Sequence, residues 1–159
     1  MTTLGITGHR GLPDDLAAAV AEQLREALAE LDPAELIGVS CIADGADAVF
    51  ASAVLARGGR LDVVVPAAEY REKLPTEHHP LYDELYAQAS RVHRLDYTES
   101  TPEAHMAASR LLISLADELL AVWDGQPSRS YGGTADVVDE ARAQGVAVRV
   151  IWPEGATRP

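Results

Sequence analysis

The chain has 159 residues, 47% apolar and 24% charged, which fits one domain over residues 1–153 followed by a loose tail at 154–159. Its formal net charge of −12 disfavours a nucleic-acid partner, which calls for a basic face, and no stretch nears the roughly 20 apolar residues of a membrane span. A start without signal-peptide character and a single cysteine, Cys41, unable to form an internal disulfide, point to a cytoplasmic protein.

In chain order, Leu4-Gly5-Ile6-Thr7 reads as a first strand, with Gly8-His9-Arg10-Gly11-Leu12-Pro13 as the loop after it. Residues 14–31 then place Leu16, Val20, Leu24, Ala27, Leu28 and Leu31 on one stripe, the mark of an amphipathic helix. Asp14 and Asp15 suit its first turn, and Asp32-Pro33 ends it. A second strand over 36–41 carries Cys41, which reads as inert core. Residues 42–47 turn the chain into a second helix that ends near Arg57-Gly58-Gly59, and residues 61–66 form a third strand. The middle predicts a short helix within 67–74, a polar loop at 75–80, a helix over 81–89 and a short fourth strand at 92–95. Thr101-Pro102-Glu103 has the form of a helix start, with Thr101 as N-cap and Pro102 in the first position, for a helix reaching about Leu115. Leu119-Leu120-Ala121-Val122-Trp123 is an apolar fifth strand, and a Gly-rich loop and a helix follow it. Residues 146–152 supply a sixth strand.

Short apolar strands alternating with helices imply βαβ crossovers and a mainly parallel sheet covered on both faces. The expected class is a three-layer, doubly wound, Rossmann-like α/β domain of about six strands. Ligands of such sheets sit beyond the carboxyl ends of the strands. Three loops fall there: 8–11, 44–47 and 125–134.

The last of these organises the chain. Gly132-Gly133-Thr134 follows a buried strand and opens a helix marked by Ala135, Val138 and Ala141. Unpaired N–H groups and the positive dipole end of such a helix favour an anion, usually a phosphate. The glycines allow close backbone approach, and Thr134 can cap the helix or bond a phosphate oxygen. In the first loop, Gly8 and Gly11 flank His9, which can bond a ribose or move a proton, and Arg10, suited to a bidentate phosphate or carboxylate contact. Asp44 reads as the N-cap of the second helix, with Gly45 beside it and Asp47 in the first turn; either aspartate can contact a ribose hydroxyl. Arg110, on an otherwise apolar helix face, is either a surface residue or a fork aimed at the ligand anion. Trp123, followed by Asp124, packs in the core or stacks on a base, and Arg129 is either solvated or closes over phosphates. Adjacent His78 and His79 lack a partner at metal-ligand spacing, so no metal is expected. A Gly-Lys-Ser/Thr P-loop, a Gly-x-Ser-x-Gly elbow and the Gly-x-Gly-x-x-Gly fingerprint are all absent, which counts against ATPase, serine hydrolase and dinucleotide dehydrogenase chemistry. No cofactor is implied.

With these residues in place, the chain resembles the SLOG superfamily, which joins the SMF/DprA proteins to the LOG proteins. Gly5-Ile6-Thr7-Gly8-His9-Arg10 looks like the start of the YpsA-type branch. Ser40 to Asp47, with Ala53 to Gly59, is similar to a DprA pattern, as is Arg110 to Asp117; Gly132-Gly133-Thr134 matches the Gly-Gly-x-Gly-Thr region of LOG proteins. The resemblance implies a Rossmann-like domain that binds nucleotides or nucleotide-derived phosphates, often as a homodimer. It makes Gly8, His9, Arg10, Ser40, Asp44, Gly45, Asp47, Arg110, Trp123, Asp124, Arg129, Gly132, Gly133 and Thr134 the candidate ligand contacts. LOG proteins hydrolyse a nucleoside monophosphate with a Glu three residues after the motif's Thr and an Arg on the preceding helix. Here that position is Val137, which leaves Asp136, Glu140 and Arg110 as the catalytic candidates. Three readings follow in order: a nucleotide-binding or sensing module, a phosphoribohydrolase, and a single-stranded DNA accessory protein.

Overall fold

A computed structural model describes all 159 residues. Six strands form one sheet: β1 (Thr2–Gly8), β2 (Leu36–Ser40), β3 (Arg60–Ala67), β4 (Arg91–Tyr97), β5 (Glu118–Val122) and β6 (Ala147–Ile151). Their spatial order is β4-β3-β2-β1-β5-β6, and every pairing is parallel. The class read from the sequence is the class observed. Strand order reverses at β1, which pairs with β2 on one side and with β5 on the other. Crossovers leave the two sides of such a point in opposite directions, and a crevice opens at the carboxyl ends of the strands.

The helices are α1 (Asp14–Ala29), α2 (Ala46–Arg57), α3 (Tyr70–Lys73), α4 (His79–Ala87), α5 (Pro102–Leu115) and α6 (Thr134–Ala143). On one face of the sheet, Leu16, Val20, Leu24 and Leu28 of α1 and Phe50 and Val54 of α2 pack on Leu4, Ile6 and Leu120. On the other, Met106, Leu112 and Ile113 of α5 and Val137 and Ala141 of α6 pack on Val39, Val64 and Leu119. Helix α1 thus buries the stripe its periodicity promised, which is where most helical stability in a protein originates, whereas Leu81 of α4 and Leu115 of α5 stay exposed. Helix α1 stops two residues before Leu31, where the Arg57 guanidinium donates to the carbonyls of Ala29 (3.3 Å) and Leu31 (2.7 Å). Thr101 caps α5 as expected, its Oγ1 accepting from the Ala104 N–H at 3.1 Å.

Several boundaries differ from expectation. Helix α3 is one turn rather than a helix through 67–74, and α4 starts at His79, with Pro80 in its first turn. Strand β4 is longer than its apolar centre, since its flanking polar residues extend an exposed edge. Residues 153–159 contain no helix or strand, yet they are not loose: the Trp152 indole N–H donates to the Ala156 carbonyl at 3.1 Å, and the Arg158 side chain is only 12% exposed.

Candidate functional site

Two glycines bring the first two ligand-edge loops together. A Cβ at Gly8 would lie 2.5 Å from Ala46 Cβ and 2.7 Å from Val122 Cβ, so only glycine lets the end of β1 pass between α2 and β5. Gly45, at φ +92°, sits where a Cβ would lie 2.6 Å from the His9 carbonyl, and that carbonyl accepts the Ala46 N–H at 3.2 Å. The helix cap is therefore Gly45 and not Asp44. Freed from capping, Asp44 takes both Nε (3.0 Å) and Nη2 (2.7 Å) of Arg10 on Oδ1 and the Gly11 N–H (3.1 Å) on Oδ2, which ties the two loops to each other.

The loop after β5 folds on its own side chains. Asp136 Oδ2 accepts the Gly132 N–H at 2.9 Å, Ser128 Oγ accepts the Asp136 N–H at 3.2 Å, and the Ser130 carbonyl accepts the Gly133 N–H at 3.2 Å. Gly133 is the N-cap of α6, so Thr134 occupies the first helical position instead of capping it. The amides of Thr134 and Ala135 have no acceptor within the chain. They are the open donors of a helix start.

His9 joins this loop to β1. It is buried, lies edge-on to the Trp152 ring at 5.4 Å, and its Nε2 accepts the Asp124 N–H at 3.1 Å. Burial, with the Arg158 charge second, lowers its pKa against the opposing pull of Asp124. Nε2 also lies 3.2 Å from Asp124 Oδ1, and Nδ1 lies 3.3 Å from Thr134 Oγ1, so the ring bridges the two loops. Asp124 receives both arms of Arg158, at 2.8 and 2.7 Å, with each side chain 12% exposed. That fork, ahead of a backbone bond from Gln126, holds the Asp124 carboxyl well below the usual carboxylate range.

Between these elements lies a cavity of about 370 Å³ at the carboxyl ends of β1, β2, β3 and β5. One end is formed by Gly8, His9, Arg10, the 128–134 loop and Arg158; the other by Cys41, Ala43, Asp47, Pro66, Tyr70 and His105. Ser109 and Leu112 of α5 and Val137 of α6 also line it. Burial raises the Asp47 carboxyl to about 7 against the opposing pull of a backbone bond at Ala43 and the Arg10 charge. Cys41 is not enclosed core; it borders the cavity, and burial pushes its thiol well up, so it remains un-ionised.

Of the sequence candidates, the structure brings Gly8, His9, Arg10, Asp47, Arg129, Gly132, Gly133 and Thr134 to this cavity. The others do different things. Ser40 is fully buried, its Oγ donating to the Asp47 carbonyl and accepting the Ile42 N–H, each at 3.0 Å. It thereby helps to hold Ile42 at φ +48°, an uncommon state for a β-branched residue. His78 is structural: its Nε2 bonds the Ile42 carbonyl at 2.9 Å. The Trp123 indole N–H donates to the Gln126 carbonyl at 2.9 Å, outside the cavity. Arg110 is half-exposed and pairs outward with Glu140 (3.2 Å) and the Tyr131 hydroxyl (3.4 Å), so neither Arg110 nor Glu140 borders the cavity. Asp44, Gly45, Asp124 and Asp136 support the loops from outside it. Sequence reasoning overlooked Tyr70, His105, Ser128 and Arg158. Tyr70 had a signal, because the segment after β3 also meets the ligand edge of the sheet. Arg158 sits in an aperiodic tail and had none.

No protein-family model and no curated protein matches the chain. Among solved structures it is similar to DNA processing protein A from Helicobacter pylori, described for its single-stranded DNA binding mode. The identity is 19% and the TM-score 0.70, over 99% of this chain and 67% of that one. DNA processing protein A from Streptococcus pneumoniae gives 20% and 0.68 over 94% of this chain, which spans only 50% of that protein. A molybdenum cofactor binding protein from Rippkaea orientalis gives 12% and 0.61, over 96% and 77%. Likeness at these identities is a likeness of fold. The chain shares the Rossmann-like α/β fold of these proteins.

Proposed function

We propose that the chain binds a nucleotide or a nucleotide-derived phosphate in the cavity at the strand-order reversal, with the phosphate at the start of α6. The observation that carries this reading is the pair of open amides at Thr134, which borders the cavity, and at the next residue, Ala135, at the end that Arg10, Arg129 and Arg158 also border. A helix start with unpaired N–H groups and nearby guanidinium groups is an anion site even in a chain of net charge −12. The Thr134 hydroxyl, 3.3 Å from His9 Nδ1, is a further polar group at that end of the cavity.

Hydrolysis of the ligand is the weaker reading. Val137, at the position where LOG proteins carry their Glu, borders the cavity, whereas Asp136 and Glu140 do not. Asp136 and Glu140 are occupied by Gly132 and Arg110. Binding without base release is the expected behaviour, and single-stranded DNA is the remaining class of ligand to exclude.

The test is a thermal-shift screen of the purified chain with ribose 5-phosphate, AMP, GMP, ADP-ribose, NAD, cyclic dinucleotides and an oligothymidylate. Stabilisation grows with the ratio of ligand concentration to Kd. A shift with a phosphate ligand that is weakened in Thr134→Val and Arg129→Ala supports the reading. A shift with oligonucleotide alone, or none with any phosphate ligand, overturns it.

A further inference from the structure

The far end of the cavity has polar atoms that the fold itself does not use. Tyr70 is 4% exposed and borders the cavity, yet its hydroxyl bonds no other group of the chain. Every fully enclosed side-chain nitrogen and oxygen has a partner, so this hydroxyl is reached from the cavity. The Asp47 carboxyl borders the cavity with only the Ala43 backbone and the Arg10 charge favouring its charged form, and a carboxylate has about four acceptor positions. His105 commits Nε2 to Ser100 Oγ at 2.7 Å and lies edge-on to the Tyr70 ring at 5.7 Å, so Nδ1 remains open. Buried polar groups are otherwise almost always paired, and a cluster of unpaired ones converging on a cavity marks a place for a ligand.

Placement fixes which part of a ligand arrives there. The cluster stands at the ends of β2 and β3, while the open amides stand beyond β5. The sheet order separates β3 from β5 by three strand spacings, or about 14 Å. A phosphate at α6 therefore needs a sugar or side chain and then a ring to reach Tyr70. Above about pH 7 the ionised Asp47 carboxylate can accept two adjacent N–H donors, and the Tyr70 hydroxyl, whose pKa burial raises, can donate to a carbonyl oxygen.

We infer that Asp47 and Tyr70 read the ring edge of a phosphorylated heterocycle with a 2-amino-4-oxo-pyrimidine face, the edge shared by guanine and pterins. This inference rests on the phosphate reading above. Asp47 takes the ring N–H and the exocyclic amino group, and Tyr70 takes the oxo group. Adenine presents an acceptor where this edge presents a donor, and hypoxanthine lacks the amino group.

Calorimetric titration with GMP, a pterin phosphate, IMP, AMP and ribose 5-phosphate tests it, on the wild-type chain and on Asp47→Asn and Tyr70→Phe. The expected result is GMP or the pterin phosphate binding about tenfold to hundredfold more tightly than IMP and AMP, the size of a bidentate edge contact. The tighter of the two names the source of the ring. Asp47→Asn should erase that preference while ribose 5-phosphate binds as before, and Tyr70→Phe should reduce it. Equal affinity for GMP, the pterin phosphate, IMP and AMP, or a preference that survives Asp47→Asn, overturns the ring-edge inference and leaves the phosphate site standing. Failure of all five ligands overturns both.

Discussion

Asp47→Asn should make the chain more stable, and only above mildly acidic pH. In the unfolded chain an aspartate titrates near 3.9, whereas burial raises the folded Asp47 to about 7. A raised carboxyl pKa means that the folded state holds its proton more tightly than the unfolded state does. The resulting stability is fully present below about pH 4 and is lost as pH rises to about 7. A shift of about three units at about 1.4 kcal/mol each gives an upper bound of about 4 kcal/mol, reduced by whatever solvent the cavity admits. Asparagine cannot ionise and escapes the loss. Urea unfolding of both proteins at pH 4, 5, 6, 7 and 8 should show curves that coincide at the acid end and separate by about 2–4 kcal/mol at pH 8. The difference between the two proteins removes the titrations they share, Asp124 and the histidines among them. A gap that is constant with pH, or a wild-type chain more stable than the variant at pH 8, refutes the reasoning.

Removing Arg158 with Ala should cost about 1.5–3 kcal/mol in urea unfolding, because it leaves the nearly buried Asp124 carboxylate unpaired. Asp124 works in the opposite sense to Asp47: its lowered pKa contributes stability that is lost as pH falls below the usual carboxylate range, so an Asp124→Asn chain should lose less stability on acidification than the wild type. Gly8→Ala should cost at least about 1–3 kcal/mol by overpacking, because the new methyl group meets Ala46 Cβ at 2.5 Å and Val122 Cβ at 2.7 Å; an unchanged melting temperature would show that β1 can shift there. Arg110→Ala should leave both the urea midpoint and phosphate-ligand affinity close to wild type, since its ion pair with Glu140 is half-exposed and outside the cavity.

How far the sequence could be read depended on the kind of signal. Strands and helices that bury one face announced themselves by periodicity, so the parallel sheet and α1, α5 and α6 were legible in Leu16 to Leu28, in the Thr101 cap and in the run before Gly132-Gly133-Thr134. The site at the sheet's carboxyl edge followed from that alternation. Side-chain direction did not. Arg110 shares a helix with Ser109 and Leu112, but one step turns a helix residue by about 100°, so its neighbours face the cavity while it faces Glu140. Asp44 had the composition of a cap, but the close passage of His9 demanded glycine at that position and released the carboxylate to Arg10. Arg158 reaches Asp124 across 34 positions of sequence, a contact made by tertiary folding that local pattern does not encode.

The most direct test of the phosphate site watches the two open amides themselves. In a ¹⁵N–¹H correlation spectrum titrated with ribose 5-phosphate, the Thr134 and Ala135 N–H signals should shift most, with Gly132, Gly133 and the His9 ring following. Signals of Arg71, Tyr86 and Arg94, on the far edge of the sheet, should stay in place. Saturating shifts at α6 would place the anion where the fold offers it donors. Shifts confined to the Arg71–Arg94 surface, with Thr134 and Ala135 unmoved, would contradict the account.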